Sequence, residues 1–166
     1  GFLIFIEGLI PEASLELFNF FQLIPPGPAL GFLFKNIKEL VLIIGGVYGA
    51  LAVVFGAFGA HALKKRFNDD QLKSFETGVK YQMYHALILI ICGISFPFIG
   101  ISQQLTAWFF IIGIFLFSFS IYGLTLGSAF GRKPSFLGPV TPLGGLLLIL
   151  GWILFTINIA EMAVYL

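Results

Sequence analysis

Four stretches of the chain stay apolar for about the thickness of a bilayer, and short polar segments separate them. A spanning helix needs about 20 mainly apolar residues. The pattern predicts spans over about 39–63, 81–101, 105–126 and 142–164. None carries a charge near its middle, where a charge is costly. Each is too long for a signal-peptide core, and no cleavage-like site follows any of them. The expected fold is an all-α membrane protein: an antiparallel bundle of four transmembrane helices plus an N-terminal interfacial or re-entrant apolar segment.

Polar residues at the ends of these runs carry capping signals. Asn68-Asp69-Asp70-Gln71 has the form of a capping box, which starts a helix ahead of the second span. Glu76 and Lys80 then fall at i, i+4. Thr141 followed by Pro142 predicts a capping hydroxyl before a proline at the first helical position. Pro97 is expected to kink the second span or break it near its far end.

Residues 1–36 read as a separate apolar extension, and 37–166 as the four-helix domain. GFLIFIEGLI is too short to span and holds Glu7, and the breaker PPGP closes the following EASLELFNFFQLI. Such a segment suits a helix in the interface, a re-entrant hairpin inside protein, or a partner-contacting element. The chain begins with Gly1 rather than Met, which fits processing, truncation or an incompletely defined end.

Composition supports the same picture. Hydrophobic residues make up 58% of the 166 residues and charged residues 10%, with a mean hydropathy of +1.01. A soluble domain carries roughly 25% charged residues, so lipid must solvate much of this surface. The net charge of +1 gives no footprint for nucleic acid, and no nucleic-acid partner is expected. Charge placement says more. Lys64, Lys65, Arg66, Lys73, Lys80, Arg132 and Lys133 lie in two loops, against Lys35 and Lys38 on the other side. The positive-inside rule then puts loops 64–80 and 128–141 in the cytoplasm and both termini outside, in a bacterial inner membrane. The basic loop also suits anionic lipid, although topology alone explains it. The single cysteine, Cys92, reads as a small core residue.

In lipid, close approach and buried polar groups hold helices together. Small residues line one face of span one (Gly45, Gly49, Ala52, Gly56, Gly59) and recur in span three (Gly113, Gly123, Gly127) and span four (Gly144, Gly145, Gly151). The phenylalanines are expected mostly to face lipid or fill gaps. Tyr48, Tyr122 and Trp152 sit too deep for an interfacial belt and read as interhelical groups, whereas Trp108 fits the outer interface.

Candidate chemistry centres on two histidines. His61 ends span one, and His85 is read about one turn inside span two, at the same membrane face, with Glu76, Tyr81, Gln82 and Tyr84 nearby. The leading expectation is structural hydrogen bonding across helices. Proton handling or ligand binding comes second, then a bis-histidine haem, then a metal site without an HxxxH or ExxH spacing. No metal or cofactor is expected. Asn158 and Glu161 are placed near the outer end of span four. No P-loop, GxSxG, CxxC or HExxH motif is present.

Three ordered stretches, GAFGAHAL, FETGVKYQMYHALILI and LGPVTPLGGLLLILGW, closely resemble the YgdD-like family of small multi-pass membrane proteins, bacterial with a mitochondrial relative in animals. The resemblance covers about residues 40–155 and matches Gly59, His61, Gly78, Tyr81, His85, Pro139, Pro142 and Gly144. It implies an inner-membrane location and four helices. The family carries no established activity, so it transfers no catalytic role, and residues 1–34 depart from its pattern. The expected function is non-enzymatic: an accessory or assembly subunit of a larger membrane complex, in contact with lipid and other membrane-protein subunits. The alternative is a small-molecule or lipid binder or transporter with a site around His61 and His85.

Overall fold

The computed structural model describes residues 37–132 and 134–164. The expectations for residues 1–36 lie outside that range. Among the described residues there are four long helices and no strand: α1 (Ile37–Leu63), α2 (Asp69–Ser95), α3 (Ile101–Ala129) and α4 (Val140–Val164). By length and composition, α1, α3 and α4 with its preceding turn are apolar enough to cross a membrane, at mean hydropathies of 2.4, 2.2 and 2.2. Helix α2 is equally long, but Asp69, Asp70, Lys73, Glu76 and Lys80 fall in its first twelve residues.

The expected capping box starts α2. Gln71 N–H donates to Asn68 Oδ1 (2.8 Å), and Asn68 N–H donates to Gln71 Oε1 (3.0 Å). Glu76 and Lys80 approach to 3.8 Å on its exposed face, a pair that contributes little in water. The helix ends at Ser95, not near residue 101, because Phe96 must be extended ahead of Pro97 (φ −85°, ψ 133°). Phe98 then turns through φ +56°, uncommon for a bulky residue, with its ring buried in the core. This places the start of α3 at Ile101, four residues before expectation. Thr141 does not cap α4. The helix begins at Val140, and the Thr141 hydroxyl lies 2.7 Å from Ser120 Oγ on α3.

Small residues set the helix contacts. Gly45 lies against Ala86 and Leu89, Gly49 and Gly56 meet Ala86 and Val79, and Gly59 meets the Phe75 ring, so α1 and α2 run in opposite directions. Gly144 sits directly on the Phe117 backbone, while Gly145 faces the Phe117 ring with room for a methyl group in ordinary contact. Gly123 and Gly127 do not serve a helix contact. They face Leu137 and Pro134 of the α3–α4 connection. Closer interhelical contacts come from Gly78 under the Tyr122 ring, Gly93 under Leu42 and Gly113 under Leu148. The phenylalanines take both expected places, with Phe58, Phe115, Phe130 and Phe136 exposed and others filling gaps. Phe67, Phe75, Phe96, Phe98 and Phe110 are buried in the core, because the short glycine contacts leave ring-sized volumes between them.

Helix α3 is not uniform. Residues Phe115–Phe119 form a π-helical turn at the point where Gly144 of α4 meets it. Such turns widen the helix locally and mark strain or function. Ser120 Oγ donates to the Phe117 carbonyl there (2.9 Å), which leaves the Thr141 hydroxyl to donate to Ser120.

A methyl group on Gly144 would overlap Phe117 backbone atoms, which cannot yield as a flexible side chain would. Gly144→Ala is therefore expected to destabilise the protein by about 1–3 kcal/mol. Gly46→Ala, with nothing within 4 Å, should be neutral within about 0.5 kcal/mol. Unfolding in mixed micelles of a denaturing detergent measures both, and equal effects would refute the contact.

Candidate functional site

Two apolar clusters fill the interior. One gathers Val41, Leu89, Phe96, Phe110, Ile114 and their neighbours, and the other Phe67, Phe75 and Tyr122. Between them runs a layer of polar side chains. Gln82, fully buried on α2, donates from Nε2 to the Tyr48 carbonyl on α1 (2.8 Å) and accepts the Tyr122 hydroxyl of α3 at Oε1 (2.9 Å). The Tyr48 hydroxyl donates to the Ile111 carbonyl on α3 (3.1 Å). One carboxamide thus joins three helices. A buried amide left without partners in hydrocarbon would cost several kcal/mol.

His85 lies one turn further along α2 and faces α4. Its Nδ1 is 2.7 Å from the Tyr81 carbonyl, which can only accept, so Nδ1 carries the proton. Its Nε2 accepts the indole N–H of Trp152 at 3.1 Å. Both ring nitrogens are therefore occupied in one neutral tautomer. No lone pair remains for a metal or a haem iron. Aromatic rings enclose the imidazole: Tyr81 stacks on it at 5.8 Å, Phe110 lies at 5.8 Å, and Trp152 meets it edge-on at 6.1 Å.

His85 forms the floor of a cleft of about 510 Å³ between α2, the π-turn of α3 and α4. Tyr81, Tyr84, Ile149 and Trp152 form its exposed rim. The phenol hydroxyls of Tyr81 and Tyr84 have no hydrogen bond among the described residues, and the lining is otherwise apolar. The cleft opens sideways, where Leu143, Leu146 and Ile153 of α4 are also exposed.

The structure separates several residues that the sequence reading put together. His61 is exposed in the π-helical last turn of α1, two residues past Gly59, which faces Phe75. His85 is ten residues beyond Phe75, roughly 15 Å of helix. The two imidazoles do not meet. The reading counted depth from the start of the apolar run at residue 81, whereas α2 begins at Asp69 and pairs with α1 from there. Glu76 is exposed beside Lys80, away from the cleft. Gln82 is buried but faces α1 and α3. Tyr81 and His85 do share the cleft. Trp152, Tyr48 and Tyr122 were read as interhelical groups, and their hydrogen bonds required the helix register, which no local signal supplies. Asn158, six residues from the end of α4, is buried there. Its Nδ2 donates to Thr106 Oγ1 (3.0 Å) and the Leu154 carbonyl (2.8 Å). Among the described residues, no three His, Cys, Asp or Glu side chains stand close enough to share a metal ion.

Comparison with known proteins agrees with the membrane character. The family model described as "Protein of unknown function (DUF423)" matches residues 55–145, more than half of the chain. The chain is 39% identical over 119 residues to a UPF0382 membrane protein of Staphylococcus aureus (strain bovine RF122 / ET3-1), covering 72% of this chain and 93% of that one. It is also 39% identical over 121 residues to the UPF0382 membrane protein YwdK of Bacillus subtilis (strain 168), covering 72% and 94%. No solved structure matches. The chain belongs to this family of membrane proteins.

The polar layer gives a direct test. Gln82→Leu strands the Tyr122 hydroxyl and should cost about 1–3 kcal/mol. Adding Tyr122→Phe removes the stranded group and should recover part of that loss. A double-mutant cycle with His85→Phe and Trp152→Phe should give a coupling of about 0.5–1.7 kcal/mol, the range for interhelical hydrogen bonds in membranes. Zero coupling would show that the ring contact contributes packing only.

Proposed function

We propose, on the premise of that family membership, that this chain is a non-enzymatic accessory subunit of a bacterial inner-membrane complex. Its docking surface is the lateral cleft between α2 and α4. One observation carries the reading: the Tyr81 and Tyr84 hydroxyls stand without partners on the rim of an apolar cleft, level with the middle of α1. An unpaired hydroxyl is costly in hydrocarbon. A partner's transmembrane helix bearing an acceptor would satisfy both hydroxyls and cover the exposed aromatics. The Gln82, Tyr48 and Tyr122 groups and the His85–Trp152 pair are engaged in hydrogen bonds across helices, which supports a structural role for them. In this reading α2 crosses the bilayer with the other three helices as an antiparallel four-helix bundle. The YgdD-like resemblance, with its mitochondrial relative, rests on the same motifs and belongs to the proposal.

A second reading places a small apolar molecule or a lipid chain in the same cleft. The Tyr81 ring, stacked on His85 and 4.7 Å from the tilted Phe117 ring, favours it by giving the cleft an aromatic wall. His61 has no part in either version.

The orientation is proposed with both basic connections in the cytoplasm. Gln71 Nε2 donates to Ser128 Oγ (3.0 Å), and the Arg66 guanidinium lies 5.5 Å over the Phe130 ring. Both contacts support the two connections lying at one end of the molecule.

A photo-crosslinker at Ile149 is expected to capture another membrane protein in native membranes, and Tyr81→Phe with Tyr84→Phe to lower that yield severalfold. Adducts with lipid alone would favour the second reading. In a Cys92→Ala background, an impermeant thiol reagent should label Ile99→Cys in intact cells and reach Phe136→Cys only after permeabilisation. The reverse pattern would invert the orientation.

A further inference from the structure

A second cleft, of about 460 Å³, lies at the end of the molecule where the two basic connections meet. It shares no lining residue with the α2–α4 cleft. Its walls are the first turns of α2, the last turns of α3 and Thr141 of α4. Its volume falls in the ordinary range of small-ligand sites.

Its hydrogen-bonding character can be counted atom by atom. The Thr77 hydroxyl donates to the Lys73 carbonyl (2.9 Å), Thr125 to the Ile121 carbonyl (2.8 Å), and Thr141 to Ser120 (2.7 Å). These three oxygens therefore keep only acceptor lone pairs for the cleft. Ser128 already accepts from Gln71, which leaves its own O–H to donate. Ser74 and the Asp70 carboxylate have no hydrogen bond among the described residues, and both are exposed. The Asn68 carboxamide N–H groups, which have no hydrogen bond among the described residues, and the remaining N–H of Gln71 add donors, so the lining offers several acceptors and several neutral donors.

Charge narrows the ligand further. No Lys, Arg or His lines the cleft, although basic residues crowd the adjoining connections. A phosphate or carboxylate would meet Asp70 and no counter-charge. The two oxygens of that carboxylate can accept from two neighbouring hydroxyls of one ligand. Ile121 and Leu124 form an apolar wall on the α3 side. The whole matches a group with several O–H donors, some O–H acceptors and one apolar face.

We propose that this cleft binds a neutral polyhydroxyl group of the sugar or glycerol type, either free or as the head of a lipid. The test uses the full chain in a detergent with a polyethylene-glycol head, since a sugar-headed detergent would compete. Binding is followed by native mass spectrometry and thermal shift with a monoglucosyl diacylglycerol, phosphatidylglycerol, phosphatidylethanolamine, free glucose and free glycerol. The glucosyl lipid, free glucose or both should bind as a single equivalent. Asp70→Asn and Ser74→Ala should each weaken that binding about tenfold, as loss of a hydrogen bond near a charge does. Neither side chain holds the bundle together, so the unliganded melting temperature should stay unchanged. Binding of glucose as tight as that of the lipid assigns the site to a soluble polyol, and binding only with the acyl tails assigns it to a headgroup. Failure of both ligands to bind, equal binding of phosphatidylethanolamine, or wild-type affinity in both variants would overturn the proposal.

Discussion

The carboxamide of Gln82 is the interaction on which the rest of the bundle depends. It sits between two apolar clusters and satisfies a carbonyl of α1 and a hydroxyl of α3 at once. Apolar surface does not drive helices together when the surroundings are equally apolar. Directional bonds and close backbone approach then decide which helices meet and in what register. A one-residue slip of α2 would leave amide, phenol and carbonyl all unpaired. The two clusters on either side can be filled by rings of many shapes, but the layer between them has one solution.

The glycine contacts work with that layer rather than beside it. Gly78 lets the Tyr122 ring lie flat on α2, which brings its hydroxyl within reach of Gln82. Gly144 lets α4 close on the π-turn of α3, beside the cleft whose wall is the Phe117 ring. Trp152 can then reach across to His85, although α2 and α4 stand far enough apart to leave the cleft open. Small residues therefore act here by positioning large ones.

Much of the fold was legible in the sequence. The apolar runs identified the helices, and the capping box placed the start of α2 to the residue, because both signals are local. Pro97 announced a break, though its exact place depended on the residue before it. The site was less legible. Tyr81 and His85 do line one cleft, but His61 was joined to them by a depth argument that ignored how long α2 runs before becoming apolar. Trp152 was seen as interhelical without its partner. Register between helices comes from contacts such as Gly45 with Leu89 and Gly59 with Phe75, which no periodicity within one helix encodes. The π-turn of α3 had no signal at all in FLFSF, an ordinary apolar run.

Helix α2 has a consequence for how the protein assembles. It carries five charges at one end and two polar side chains, Gln82 and His85, in the middle. Hydrocarbon is a poor solvent for such a segment, whereas α1, α3 and α4 supply partners for the Gln82 carboxamide and for His85 Nε2. Its favourable medium is thus the protein itself. If α2 crosses the bilayer as proposed above, a nascent chain gains nothing by releasing it into lipid as an independent rod to dock later. In the proposed four-span reading its insertion and its folding are a single event, with α1 in place as a template.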